Sequence, residues 1–168
     1  MSTVTSSRPV RVVGAVLVML VLVGVAVAGQ LSARLTGDEY TFRVAPVDPI
    51  DPFRGAYVEL AYPDLQELER WEASDDVDIE GARGELFVTL REEGGVWVAD
   101  DYTRERPDTG PYLACNDRDW RIRCGIESWF LPQAKAQAAQ DAVNAGDSIA
   151  TVRIDGRGNA ALIEVTVP

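Results

Sequence analysis

Glu127 is the acid in this sequence whose neighbours best suit it to proton chemistry. It stands between Ile126 and Trp129, and a carboxyl group among apolar side chains is pushed toward the neutral state that a general acid needs. A partner such as Arg54, Arg121 or Arg123, or a solvent-facing position, would make the same residue structural. Asp48 and Asp51 are the second acidic feature. With Glu127 they would supply the carboxylates of glycoside-type hydrolysis, provided roughly 5–10 Å separated the pair across one cleft. Their Asp-Pro context equally suits turns, each side chain accepting a neighbouring amide. Asp75, Asp76, Asp78 and Glu80 offer oxygen ligands to a hard cation, but the glycine and spacing of an EF-hand are missing, which favours a solvated acidic loop. The sequence has no histidine, and Lys135 is its single lysine. Those two facts remove the usual catalytic triads and most zinc sites, and leave Schiff-base chemistry one candidate. The expectation is a binding module rather than an enzyme, without cofactor or metal.

Cys115 and Cys124 are the only cysteines. Their spacing does not match a CxxC redox motif, and two thiols without further soft ligands make a poor metal site. One structural disulfide closing a loop of about ten residues is expected, which implies an oxidising compartment.

The elements that would position these residues begin with a hydrophobic segment. Val12 to Gly29 is an unbroken apolar run preceded by Arg8 and Arg11 and followed by Arg34. Eighteen helical residues rise about 27 Å, close to a hydrocarbon core of roughly 30 Å. The arginines before the run favour a cytoplasmic N-terminus, which places residues 30–168 outside. Ala26-Val27-Ala28 also has the small-x-small form of a signal-peptide cleavage site, so a retained anchor and a cleaved signal both fit. The chain carries a net charge of −11, and the part beyond Gly29 keeps 14 basic and 27 acidic residues. Taken as a whole, such a domain repels nucleic acid phosphates and anionic lipid headgroups, so both are disfavoured as its partners and no nucleic-acid partner is expected. The implied division is residues 1–11 cytoplasmic, 12–29 transmembrane, 30–38 a juxtamembrane connector with Gly37 as its breaker, and 39–168 one extracytoplasmic domain.

Within that domain, period-2 patterns predict strands at Glu39–Val47, Phe53–Tyr62, Glu85–Arg91, Val96–Tyr102 and Ile126–Leu131. In the second of these, Val58, Leu60 and Tyr62 share one face while Tyr57, Glu59 and Ala61 share the other. Tyr112–Cys115 and Trp120–Cys124 are expected to pair beside the disulfide. Pro63–Ser74 suggests a short helix, and Pro132–Gly146 an Ala-rich helix ending at glycine. Ser148–Asp155 and Asn159–Val167 form a hairpin across Gly156-Arg157-Gly158. The predicted class is α+β: an N-terminal transmembrane helix, then a mainly antiparallel β domain with one Ala-rich helix.

The stretch Asp48-Pro49-x-Asp51-Pro52-Phe53-Arg54-Gly55-Ala56-Tyr57-Val58-Glu59-Leu60-Ala61-Tyr62 resembles the GDYXXLXY protein family. Gly55, Tyr57, Leu60 and Tyr62 match the namesake pattern, and Ala56 replaces its aspartate. Gly125-Ile126-Glu127-Ser128-Trp129-Phe130-Leu131-Pro132 is similar to a second block of that family. Trp129 stands at an aromatic position there, and Cys124 at a position usually held by tyrosine. The resemblance implies a membrane-anchored bacterial domain of unestablished function that accompanies multi-spanning membrane proteins, and it supplies no catalytic assignment. The expected partner is therefore a multi-spanning membrane protein. Arg54, Tyr57, Glu59 and Glu127 are the candidate binding residues, with Tyr57 an amphipathic anchor on the outer face. The competing reading gives Gly55 to a backbone bend and Leu60 and Tyr62 to the core.

Overall fold

The computed structural model describes residues 7–46, 57–65, 83–118, 122–132, 139, 141–143, 146 and 148–166. The apolar run lies inside a 30-residue helix, α1 (Ser7–Thr36). Leu, Ala and Met favour helix, and the run contains no proline to interrupt the backbone ladder. Val12 to Val27 expose their large side chains along its length, in a helix that is apolar on every face and packs against none of the described residues there.

Among the described residues eight strands follow: β1 (Asp38–Pro46), β2 (Tyr57–Ala61), β3 (Glu85–Glu93), β4 (Val96–Thr103), β5 (Tyr112–Asn116), β6 (Ser128–Phe130), β7 (Ser148–Ile154) and β8 (Ala160–Thr166). They form a five-stranded sheet in the order β6-β2-β1-β7-β8 and a three-stranded sheet in the order β4-β3-β5. Every pairing is antiparallel, so the class is α+β. The β3–β4 hairpin turns on Gly94 and Gly95, with φ of 64° and 87°. A two-residue turn of that hand matches strand twist and needs positive φ at both positions.

One core lies between the sheets. Phe42, Val58, Leu60, Tyr62, Val152 and Val165 face Leu86, Val88, Tyr102 and Leu113 within it. Edge-to-face ring pairs add orientation: Phe42 meets Tyr62 at 6.1 Å, and Tyr40 meets Trp97 across the sheets at 4.9 Å. The strand alternation read from residues 58 to 62 holds, with Val58, Leu60 and Tyr62 buried.

Three expectations differ. Residues 30–36 continue α1 and form no connector, and β1 starts at Asp38 directly after Gly37. Their physical support is the domain itself, which packs against this last part of the helix. Of the expected Trp120–Cys124 strand, Trp120 and Arg121 lie outside the described residues, and among the described ones Ile122–Cys124 meets β5 at the single bridge Asn116↔Arg123, after which the chain leaves that sheet to join β6 in the other. Pro63–Leu65 forms one 3-10 turn, and the remainder of that proposed helix lies outside the described residues. Of the Ala-rich segment, residues 139 and 141–143 are helical, and Gly146 follows with φ +92°.

Candidate functional site

The two blocks that carried the family resemblance are neighbours. β2 pairs with β6 in the register Tyr57↔Phe130, Val58↔Trp129 and Glu59↔Ser128. Two further bonds extend the seam: Leu60 N donates to Glu127 O at 2.8 Å, and the Tyr62 hydroxyl donates to Ile126 O at 2.9 Å. Tyr62 and Ile126 are fully buried, so that phenol must keep its proton and its partner. Burial first, and the nearby Glu127 carboxylate second, push the Tyr62 pKa upward. The motif residues Leu60 and Tyr62 are thus core residues that join the blocks. Glu59 is half-buried on the opposite face of β2, and Phe130 is 78% exposed on the sheet's terminal strand.

Arg54, Arg121, Asp48 and Asp51, partners considered for Glu127, lie outside the described residues, and among those described Glu127 is engaged by backbone amides. Its carboxylate accepts hydrogen bonds from the amides of Cys124 (2.5 Å) and Gly125 (3.0 Å). Gly125 has φ +80°, and the acid gathers the amides that this tight turn leaves over. The group is a turn acceptor at the entrance to β6. Arg54, Gly55, Asp48, Asp51, Lys135 and the acids of residues 75–80 lie outside the described residues. Tyr57 has its backbone place in β2 opposite Phe130.

Cys115 and Cys124 form a disulfide with a Cα–Cα separation of 4.1 Å. Cys115 belongs to β5 in the smaller sheet, while Cys124 precedes β6 in the larger one. The bond therefore staples the two sheets next to the Glu127 turn. A loop of this length removes about 2.5 kcal/mol of unfolded-chain entropy.

A second constellation joins α1 to the β7–β8 hairpin, and sequence reasoning missed it. Arg153 donates to Arg34 O at 2.8 Å and to Glu39 at 2.9 Å, Arg34 donates to Leu162 O, and Arg157 donates to Ser32 Oγ. Ala33 is completely buried. A Cβ at Gly29 would lie 3.0 Å from Asn159 Oδ1, and one at Gly37 only 2.5 Å from Ala33 O and 2.9 Å from the Ile154 backbone. Gly29, Ser32, Ala33 and Gly37 recur at helical spacing, and their small size lets a strand hairpin approach the helix. That spacing was the available signal.

The hairpin turn is organised by Asp155, which is buried and accepts from the Arg157 and Asn159 amides and the Asn159 side chain. Burial alone would raise its pKa, but hydrogen bonds from Ser32, Asn159 and those amides outweigh burial and hold it below the ordinary value. Beside this turn lies a cleft of about 240 Å³ lined by Asp38, Tyr40, Gly110, Pro111, Tyr112, Ile154, Asp155 and Gly156. Tyr112 crosses it to donate to Gly156 O at 3.2 Å.

Asp117 is a further acid that composition did not single out. It is 2% exposed and held bidentately by Arg104 at 2.6 and 3.1 Å, with the Gly84 amide as a third donor. Burial works to raise its pKa, and the Arg104 and Gly84 bonds more than reverse that. The group is an anion committed to fastening β5 to the segment before β3. Among the described residues no three potential ligands gather to hold a metal ion.

No curated protein and no solved structure matches the chain. The family described as GDYXXLXY protein matches residues 19–165, a span that runs from within α1 through β8 and contains both blocks of the β2–β6 seam. The chain belongs to the GDYXXLXY protein family.

Proposed function

We propose that this protein is a single-pass membrane-anchored module whose β domain is held outside the cytoplasm and docks on a multi-spanning membrane protein. The observation that carries this reading is the continuity of α1 with the domain. Residues 11–36 form a helix long and apolar enough to cross a bilayer, and its last two turns pack on β7 and β8. A bilayer covers the exposed Val12–Val27 surface, which water would penalise at about 25 cal/mol per Å². The disulfide supports an oxidising location for the domain, and Arg8 and Arg11 favour a cytoplasmic N-terminus. A domain fixed to its anchor without a flexible connector presents one orientation to a partner in the same membrane. This lowers the entropy lost on docking.

The contact surface in this reading is the outer face of the β2–β6 seam, where Tyr57 and Phe130 occupy opposed register positions and the Phe130 ring is exposed. Aromatic anchors of this kind dominate binding energy in protein interfaces. Arg54, Glu59 and Glu127 border the same seam in sequence, with Glu127 contributing through the turn it builds. A carboxylate-dependent hydrolase is the weaker reading, because the Glu127 oxygens are engaged by backbone amides.

A photo-crosslinking residue at Phe130 in the full-length protein, activated in cells, tests the proposal. Capture of one multi-spanning membrane protein, absent when the same probe replaces exposed Asp100 on β4, is the expected result. Equal labelling of many proteins from both positions would contradict it.

A further inference from the structure

We propose that the outer end of α1 and the β7–β8 turn form a seat for phospholipid headgroups, in which Arg34 and Arg157 bind lipid phosphate. The proposal rests on the reading of α1 as a membrane span and adds a defined ligand to it.

The geometry sets the depth of each residue. Contacts along the helix run in opposite order to the hairpin: Gly37 lies against Ile154, Arg34 O bonds Arg153, Ser32 bonds Arg157, and Gly29 approaches Asn159. The turn therefore points back along α1 toward the membrane, and Gly156 to Asn159 sit level with Gly29 to Ser32. At 1.5 Å per residue, a hydrocarbon core of roughly 30 Å takes about twenty residues, which from Val12 ends near Leu31. The headgroup layer adds about 5–7 Å on each side, a depth that takes in Ser32 to Arg34 together with Arg157.

The chemistry at that depth suits phosphate. Arg34 and Arg157 are both exposed. Each gives one terminal nitrogen to the protein, Arg34 to Leu162 O and Arg157 to Ser32 Oγ, both at 3.3 Å. A guanidinium has five N–H donors, so both retain donors in the planar fork that phosphate accepts bidentately. The nearby acids are engaged elsewhere. Asp155 is filled by Asn159 and the turn amides, and Glu39 is bonded to Arg153. Among the described residues, no carboxylate lies within ion-pair distance of Arg34 or Arg157. Two cations with no carboxylate partner among the described residues thus stand at the phosphate layer of a chain whose net charge is −11. An anionic partner offsets their charge there, and the lipid headgroup is the anion always present at that depth.

The test is solid-state NMR on the full-length protein, with ¹³C in its arginine guanidinium carbons, reconstituted in phosphatidylcholine and phosphatidylglycerol bilayers. Dephasing of the guanidinium carbons by lipid ³¹P reads their contact with phosphate. The expected result is that R34Q and R157Q each remove one dephased arginine out of fifteen, whereas R91Q, at a residue half-buried on β3 and ion-paired with Glu93 and Asp100, removes none. Unchanged dephasing in both variants would overturn the proposal. A second sample, in phosphate-free glycolipid bilayers with inorganic phosphate in the buffer, separates the sources. Dephasing at Arg34 and Arg157 that appears only in that sample would mean a free-phosphate site and would also overturn the headgroup assignment. Carbonate extraction of the same membranes distinguishes the two levels of failure. A chain stripped off by carbonate refutes the membrane span, while a chain that stays bound without dephasing refutes the headgroup seat alone.

Discussion

Gly158 shows how a single backbone position holds the two sheets together. It has φ +80°, its carbonyl accepts from Ala114 N at 2.9 Å, and an added Cβ would lie 2.7 Å from the Tyr112 ring. Gly158→Ala combines a left-handed backbone with a clash against a buried ring, and is expected to cost about 2–3 kcal/mol, measured by denaturant unfolding in detergent. Asp117 makes a prediction about pH. Its folded pKa lies below the ordinary value of about 3.9 for an unfolded aspartate, as does that of Asp155. A depressed carboxylate contributes stability that is present above its unfolded pKa and lost as pH falls through the folded one. The stability of the chain is therefore expected to hold at neutral pH and to decline below about pH 4. Asp117→Asn leaves Arg104 facing a neutral amide. It should remove about 3 kcal/mol at neutral pH and weaken the acid dependence. Equal stability of variant and parent at pH 7 would contradict the role given to this pair.

At the scale of elements, the β2–β6 seam converts two separated sequence blocks into one structural unit. Its strands are short, and a three-residue strand such as β6 needs support beyond its own ladder. The Tyr62–Ile126 bond, the Glu127 turn and the disulfide provide it. Replacing both cysteines by serine is expected to cost about 2.5 kcal/mol and to loosen β6 first, which hydrogen exchange of Ser128–Phe130 reads directly. Protection of those amides unchanged from the parent would show that the staple does not support the strand. Much of this unit was legible in the sequence: the alternation of Val58, Leu60 and Tyr62 and the even cysteine count each have a local physical cause, as does the Gly94-Gly95 turn of the β3–β4 hairpin in the other sheet. The role of Glu127 was not legible, because its acceptor function depends on the positive φ of Gly125, which only the folded turn displays. The Arg104–Asp117 pair was hidden for a similar reason, since thirteen residues separate partners that strand pairing brings together. The end of α1 was misread because a polar stretch after an apolar run resembles a connector. The small residues Gly29, Ser32, Ala33 and Gly37 carried the contrary signal.

For the whole molecule, the arrangement is a long apolar helix that becomes part of the domain it precedes. The hydrophobic segment supplies no core side chains along Val12 to Val27, and its final turns are tied to β7 and β8 by the Arg153, Arg34 and Arg157 hydrogen bonds and the buried Ala33. Signal peptidase cleaves extended small-residue sites, and Ala26-Val27-Ala28 lies within α1. Cleavage there would also separate the docked turns of the helix from its long apolar part. The most direct test is intact-mass measurement of the C-terminally tagged protein from carbonate-washed membranes. The account predicts an uncleaved N-terminal segment, with residues 12–28 present and the protein retained in the membrane. A soluble chain beginning at Gly29 would contradict it.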